Sequence, residues 1–295
     1  MKTVLYILLL VFTSSCGFNK VFLVPTKIST TQLPFKTVYN KKADTLIIEN
    51  KETLKPYFKN VENKPIEVGY SMESFFIDSK SGNKLHAWVI ANDSVYNGKN
   101  IIFFHGNAGN LVSQHKMMLP FVKAGYKVFM ADYSGFGFST GKATRKNVLM
   151  DGNAAITYFT NLDADTTHKW IIYGQSLGGH LTPVVALANE PLIDGIIVEG
   201  AFTSHQDIGA NSAGFIARLL IAEKYSAKKA IQQFKKPVLI IHSTHDEIIP
   251  YHMGEELFEL ANQPKQFYQV DKCHICGPVY FAENILQKME ELFGK

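Results

Sequence analysis

The stretch that most constrains this chain is Trp170-Ile171-Ile172-Tyr173-Gly174-Gln175-Ser176-Leu177-Gly178-Gly179-His180. An apolar run closing on Tyr173 predicts a buried strand, and residues 177–187 predict a helix that begins with small residues. Between them, Gly174-Gln175-Ser176-Leu177-Gly178 fits G-x-S-x-G, a sharp strand-to-helix turn that pushes its serine out beyond the sheet. The glycines belong to such a turn because neighbouring backbone comes too close for a Cβ. The helix that follows aims its first N–H groups at charge developing beside the serine. Five residues with three fixed are a weak signal alone, so the weight falls on the flanking strand and helix.

The rest of the chain repeats that alternation. Residues 74–78 and 85–90 read as two strands joined by the turn Ser81-Gly82-Asn83. Residues 100–104 form a third, ending at His105-Gly106-Asn107-Ala108-Gly109. A helical stretch over 110–124 leads to a strand at 126–131, which closes on Asp132-Tyr133-Ser134-Gly135-Phe136-Gly137-Phe138-Ser139. Helical residues 144–160 then lead to the strand at 169–173. Beyond the turn come strands at 195–199, 238–241 and 266–270, with helices over 252–262 and 279–293 and helical pieces within 201–236. A hairpin followed by alternating strands and helices predicts a mostly parallel α/β sheet covered on both faces. Ligands in such sheets sit beyond the carboxyl ends of the strands, where all the polar motifs fall. Before residue 70 the pattern is poor: residues 46–48 read as a short strand, and 16–69 as an N-terminal extension of a domain spanning 70–295.

A serine hydroxyl needs a base beside it to act as a nucleophile. The partners expected in chain order are an acid and then a histidine, and Asp246 and His274 follow the strands at 238–241 and 266–270. His274 is expected to take the Ser176 proton, with Asp246 holding the imidazole tautomer. Of the ten histidines, His242 and His245 lie too near Asp246 in sequence to reach both it and Ser176, and His242 reads as a structural strand-end residue. Glu199 is the rival carboxylate. Two backbone donors are expected for an oxyanion: Leu177 N–H, and Asn107 N–H with Ala108 as the alternative. Candidate pocket residues are His105 and Gly106 in the glycine-rich loop, with Phe202 and Phe215 as a partial roof from a small helical insertion over about 201–236. His242-Ser243-Thr244-His245-Asp246 lacks the spacing of a binuclear metal site, so neither a metal nor a cofactor is expected.

Composition sets the remaining bounds. A hydrophobic share of 46% with 19% charged residues fits a globular chain with a large core. The net charge of +4 is spread thinly, with no basic run suited to nucleic acid. Lys2, the apolar run Val4 to Phe12, and Thr13-Ser14-Ser15-Cys16 have the proportions of a signal peptide over residues 1–15. The run falls short of the roughly 18 apolar residues of a membrane span. It resembles a bacterial lipoprotein signal with Cys16 as lipid acceptor, although Thr13 stands where an aliphatic residue is usual. An uncleaved anchor and a plain secretory signal remain the alternatives. The expectation is an exported protein, tethered to a membrane through its N-terminus.

Taken together, the four motifs at residues 105–109, 132–139, 174–179 and 241–246 resemble the α/β-hydrolase superfamily, in particular Bem46-like proteins and the α/β-hydrolase-domain proteins 13 and 17. The resemblance covers roughly residues 70–293. It implies a serine hydrolase acting on esters or thioesters of a small-molecule or acylated substrate, with Ser176, Asp246 and His274 as the triad. A peptidase or amidase of the same fold, and a non-catalytic binding protein, are the alternatives. The chain departs from these relatives around the base, at Asp271-Lys272-Cys273-His274-Ile275-Cys276-Gly277. Cys273 and Cys276 are either a disulfide that stiffens the loop, as an oxidising compartment would permit, or two packed thiols.

Overall fold

The structure, a computed structural model, describes residues 22–163 and 165–294. Cys16 and the signal segment lie outside them. Eight strands form one sheet: β4 (Tyr70–Asp78), β5 (Lys84–Asn92), β6 (Lys99–Phe104), β7 (Lys127–Ala131), β8 (Lys169–Gln175), β9 (Gly195–Glu199), β10 (Val238–Ser243) and β11 (Lys265–Val270). Their order is β11-β10-β9-β8-β6-β7-β5-β4. The run from β11 to β7 is parallel, and β4 and β5 join antiparallel at one edge. The hairpin-then-crossover pattern of the sequence produces this mixed sheet. After β6 the chain turns to one side for β7 and to the other for β8. That places the end of β8 at the crevice where a parallel sheet changes direction.

The central strands are apolar throughout because both faces are covered. Ile102, Phe104, Ile172, Ile196, Val198 and Ile240 point to one side, where they pack with Ile156, Phe159, Leu181 and Val185. Their alternates Ile101, Phe103, Ile171, Tyr173, Ile197 and Ile241 point to the other, against Leu111, Phe121, Ile285 and Met289. The side-chain period of two along each strand makes this division. The helices that supply the covering are α1 (Leu111–Gln114), α2 (Leu119–Lys123), α3 (Arg145–Leu162), α4 (Leu177–Ala188), α5 (His205–Leu220), α6 (Ala227–Ile231), α7 (Tyr251–Leu260), α8 (Gly277–Tyr280) and α9 (Ala282–Phe293). The helical stretch expected over 110–124 is broken into α1, a 3-10 turn at His115–Met118, and α2. Pro120 stands near the start of α2, where its missing N–H costs no helical bond.

The N-terminal extension is built into this body. Strands β1 (Phe35–Val38), β2 (Thr45–Ile48) and β3 (Tyr57–Lys59) make a small antiparallel sheet. Its Leu46, Ile48 and Phe58 join the same core as Tyr70, Met72 and Trp88. Farther upstream, Gly137 N–H donates to Thr26 O at 2.9 Å and Ile28 N–H to Gly137 O at 2.7 Å.

Close packing at the strand-to-helix turn over residues 174–178, the elbow that carries Ser176, explains its glycines. A Cβ on Gly178 would lie 2.0 Å from Phe104 O and 2.8 Å from His105 O, both of them backbone atoms. One on Gly174 would lie 2.1 Å from Thr182 Oγ1. Neither clash can be relieved without moving the packed backbone around it. Gly178→Ala is therefore expected to cost about 3 kcal/mol or more of unfolding free energy, read from the urea midpoint.

Candidate active site

Ser176 sits between β8 and α4 with φ 54° and ψ −112°, a positive-φ backbone that few non-glycine residues adopt. Its N–H is tied to Glu199 O at 2.9 Å, and its carbonyl accepts His180 N–H at 2.9 Å. With both backbone groups held, the side chain projects beyond the sheet. There the Ser176 hydroxyl lies 2.9 Å from His274 Nε2, and His274 Nδ1 lies 2.6 Å from Asp246 Oδ2. The three side chains come from the carboxyl ends of β8, β10 and β11. A carboxylate only accepts, so it fixes the proton on Nδ1 and leaves the Nε2 lone pair facing the hydroxyl.

Asp246 is held in place from several sides. Its Oδ1 accepts the N–H groups of Ile248 and Ile249 at 2.9 and 2.8 Å. Its side chain is fully buried. Burial alone raises a carboxyl, but hydrogen bonds from His242 and His274, the charge of His274 and the Ile249 N–H outweigh it. Together they hold Asp246 well below the usual carboxylate range. His242 does more than its strand-end reading suggests. It folds back so that Nε2 lies 3.2 Å from Asp246 Oδ2 and 3.1 Å from Ile249 O. The fold-back needs Gly254, where a Cβ would meet His242 Nδ1 at 2.3 Å.

Glu199, the rival acid, has a different place. It is buried, and it accepts Tyr173 OH at 2.8 Å, Gln175 Nε2 at 2.6 Å and Gly277 N–H at 2.7 Å. Burial pushes its carboxyl up against the pull of these donors. Gln175 also donates to Ile275 O at 3.2 Å, so one buried carboxylate links the strand before Ser176 to the loop carrying His274. Gly200 (φ 56°) lets that loop lie close, since a Cβ there would stand 2.8 Å from His274 O. Cys273 and Cys276 are joined as a disulfide across His274, with Cα atoms 5.6 Å apart. Ser243 Oγ donates to Lys272 O at the loop's entry.

A cavity of about 450 Å³ opens at Ser176. Its walls include Gly106, Asn107, Ala108, Leu177 and Phe202, together with Ile208, Ile249 and Ile275. Leu177 is the first residue of α4, so its N–H has no partner inside the helix. The glycine-rich loop comes alongside: a Cβ on Gly106 would stand 3.6 Å from Ser176 Cβ. Two expected pocket residues are not wall residues. His105 is buried beneath the loop, its Nδ1 2.8 Å from Gly106 O and its ring against Tyr133 and Phe136. Phe215 lies past a kink in α5 and is 71% exposed, so it roofs nothing. The wall contains instead Phe22, at the start of the described chain. Only a contact between distant parts of the chain reveals that residue, and the apolar run at 21–24 is its one signal in the sequence.

Behind Phe202, ligand-type atoms of His180, His205 and Glu223 lie within 4.8 Å of one another. His205 Nδ1 lies 3.0 Å from Glu223, and His180 Nδ1 lies 2.8 Å from Phe202 O. Burial pushes both imidazoles down, and the nearby Arg145 guanidinium adds positive charge that opposes a cation. The group is best described as a buried polar knot.

The family described as alpha/beta hydrolase fold matches residues 99–220, which include the elbow and stop short of Asp246. YfhR of Salmonella typhi is 33% identical over 208 residues, covering 66% of this chain and 71% of that one. Bem46 of Schizosaccharomyces pombe is 28% identical over 221 residues, covering 72% and 74%. Among solved structures, the Pyrococcus furiosus esterase Pf2001 superposes with a TM-score of 0.64 at 18% identity, over 76% of this chain and 91% of its own.

Because the folded pKa of Asp246 is depressed, its ionisation adds stability above the unfolded aspartate pKa of about 4. That stability is lost as pH falls through the lower folded value. Asp246→Asn is therefore expected to flatten the acid limb of stability against pH, measured as urea midpoints between neutral and acid buffers. An unchanged acid limb would contradict the assignment.

Proposed function

The chain belongs to the α/β-hydrolase superfamily, among its Bem46-like members, and from that premise we propose that it is a serine hydrolase of carboxylic esters or thioesters. The observation that carries this reading is the continuous hydrogen-bonded line from Ser176 Oγ through His274 to Asp246. In the proposed cycle Ser176 Oγ attacks the acyl carbon while His274 Nε2 takes its proton. Asp246 stabilises the imidazolium formed. The negative oxygen is assigned to the N–H groups of Leu177 and Asn107, residues that both line the cavity at Ser176; fixed donors of this kind stabilise the charge as it develops. Collapse expels the alcohol or thiol, protonated by His274, and leaves an acyl ester on Ser176. Water, deprotonated by His274, attacks that ester, and the acid departs as the Ser176 hydroxyl is restored.

The walls formed by Leu177, Phe202, Ile208, Ile249 and Ile275 suit an apolar acyl group of moderate size. The proposal includes an exported enzyme tethered through a lipid on Cys16, on the strength of the apolar run and small residues before it. Cell fractionation tests the tether: the parent chain should sediment with membranes, and Cys16→Ser should be released or remain unprocessed. Equal sedimentation of a fully processed Cys16→Ser chain would sink it.

A fluorophosphonate probe tests the chemistry, beside p-nitrophenyl esters of increasing chain length. The parent chain should be labelled and should turn the esters over, and Ser176→Ala should lose labelling and about 10⁶-fold in rate. Absence of labelling together with turnover no better than the variant would refute the hydrolase reading. Faster cleavage of matched amides would move the substrate class to peptides.

A further inference from the structure

Residues 205–223 run out from the body and return to it. At the feet, a Cβ on Gly209 would lie 2.0 Å from Ile221 Cδ1, and Gln206 Nε2 donates to Ile221 O at 3.2 Å. Glu223 accepts Gln206 N–H at 3.2 Å and pairs with His205 Nδ1 at 3.0 Å. Between the feet, α5 breaks at Ala213 (φ −140°) and Gly214 (φ 78°, ψ 179°). Beyond the break Ala217 is buried and Arg218 turns back to Asp207 at 3.2 Å. The other face carries Phe215, Ile216 and Leu219, exposed by 71%, 71% and 69%. Large apolar side chains clustered and open to water mark an interaction surface.

The setting of this tip narrows the partner. Its outgoing foot, at Ile208, stands with Phe22 in the wall of the Ser176 cavity. Its returning foot, at Ala222, lines a second cavity of about 650 Å³ with Leu23. The polar lining there includes Lys142, Lys146, Lys224 and Arg145, and none of the described residues lining it is acidic. The three lysines are exposed. Phe22 and Leu23, where the described chain begins, thus stand between the two cavities. The sequence just before them holds the apolar run Val4 to Phe12.

We propose that this protruding tip and the cationic cavity beside it form a docking face for an anionic phospholipid bilayer. Phe215, Ile216 and Leu219 enter the acyl region, Lys142, Lys146 and Lys224 meet lipid phosphates, and the Ser176 cavity opens beside the surface. Apolar insertion combined with basic side chains is the chemistry of interfacial membrane binding. A second copy of the chain fits worse, because a two-fold pairing through this face would bring both copies' sets of these lysines into one interface, with no acidic residue among the described residues of the cavity lining to offset them. The proposal does not depend on the hydrolytic activity.

The test uses the full chain carrying Cys16→Ser, with Cys273 and Cys276 in their disulfide, and an environment-sensitive fluorophore on Leu219→Cys. A control label goes on Leu162→Cys, at the opposite end of α3 from Arg145 and so a full helix length from the cationic cavity. On vesicles of equimolar phosphatidylcholine and phosphatidylglycerol, the label at 219 should shift to the blue and be quenched by nitroxide lipids, while that at 162 stays aqueous. Replacing Lys142, Lys146 and Lys224 by Ala should weaken partitioning about fivefold for each lysine. High salt should weaken it likewise. Circular dichroism melts matching the parent chain would show that the variants are folded. The proposal is overturned if the label at 219 stays aqueous on vesicle-bound protein, if nothing partitions, or if binding ignores lipid charge. A blue shift without lipid that grows with protein concentration would overturn it in favour of self-association.

Discussion

The candidate site depends on one buried carboxylate that takes no part in the proposed chemistry. Glu199 closes β9 and accepts from Tyr173 and Gln175 on one side and from Gly277 on the other. Its own carbonyl also holds the Ser176 N–H. Burying a charge costs several kcal/mol unless donors surround it, and here three donors from β8 and the loop after β11 do so. In return, the turn carrying Ser176 and the loop carrying His274 share one fixed reference. Their 2.9 Å separation is then a property of the framework, with little left to side-chain freedom.

A second layer of bracing supports the glycine-rich loop. Asp132 Oδ1 accepts Leu111 N–H at 2.8 Å, and Tyr133 OH donates to His105 O at 3.0 Å. Gly137, at φ 45°, leaves room for Asp132, whose Oδ2 would lie 1.9 Å from a Cβ there. The motif at residues 132–139 therefore acts beneath the site: it fixes the loop that faces Ser176. His105 belongs to this layer, which is why it borders no substrate space.

What is legible in the sequence follows from range. Strands buried on both faces announce themselves as apolar runs, and β6 through β10 fall where those runs predict them; the edge strand β11, of mixed and half-exposed residues, falls at the stretch expected over 266–270. Ser176, Asp246 and His274 can be chosen as candidates because each follows an expected strand and chain order limits the choices. The strands β1 and β3 escape notice because three or four residues, mostly half-exposed, carry no usable periodicity. Glu199 reads only as a rival acid, since its three donors come from residues 24 to 78 positions away. Composition cannot show the kink at Ala213 and Gly214 that turns Phe215 outward. Sequence proximity argues that His242 cannot reach both Asp246 and Ser176, but it does not announce the turn over four residues that brings His242 to Asp246.

Phe22 has a consequence for how the chain can be divided. The regular alternation of strands and helices begins near residue 70, and a boundary drawn there looks natural. Yet Phe22 lines the cavity at Ser176, and its ring packs on His205 and under the Arg145 guanidinium. The segment at which the described residues begin is therefore also a wall of the cavity at Ser176. Under the proposed tether through Cys16, tension on that segment would be felt first as a change in the shape of the cavity, so anchoring and selectivity would be mechanically one property.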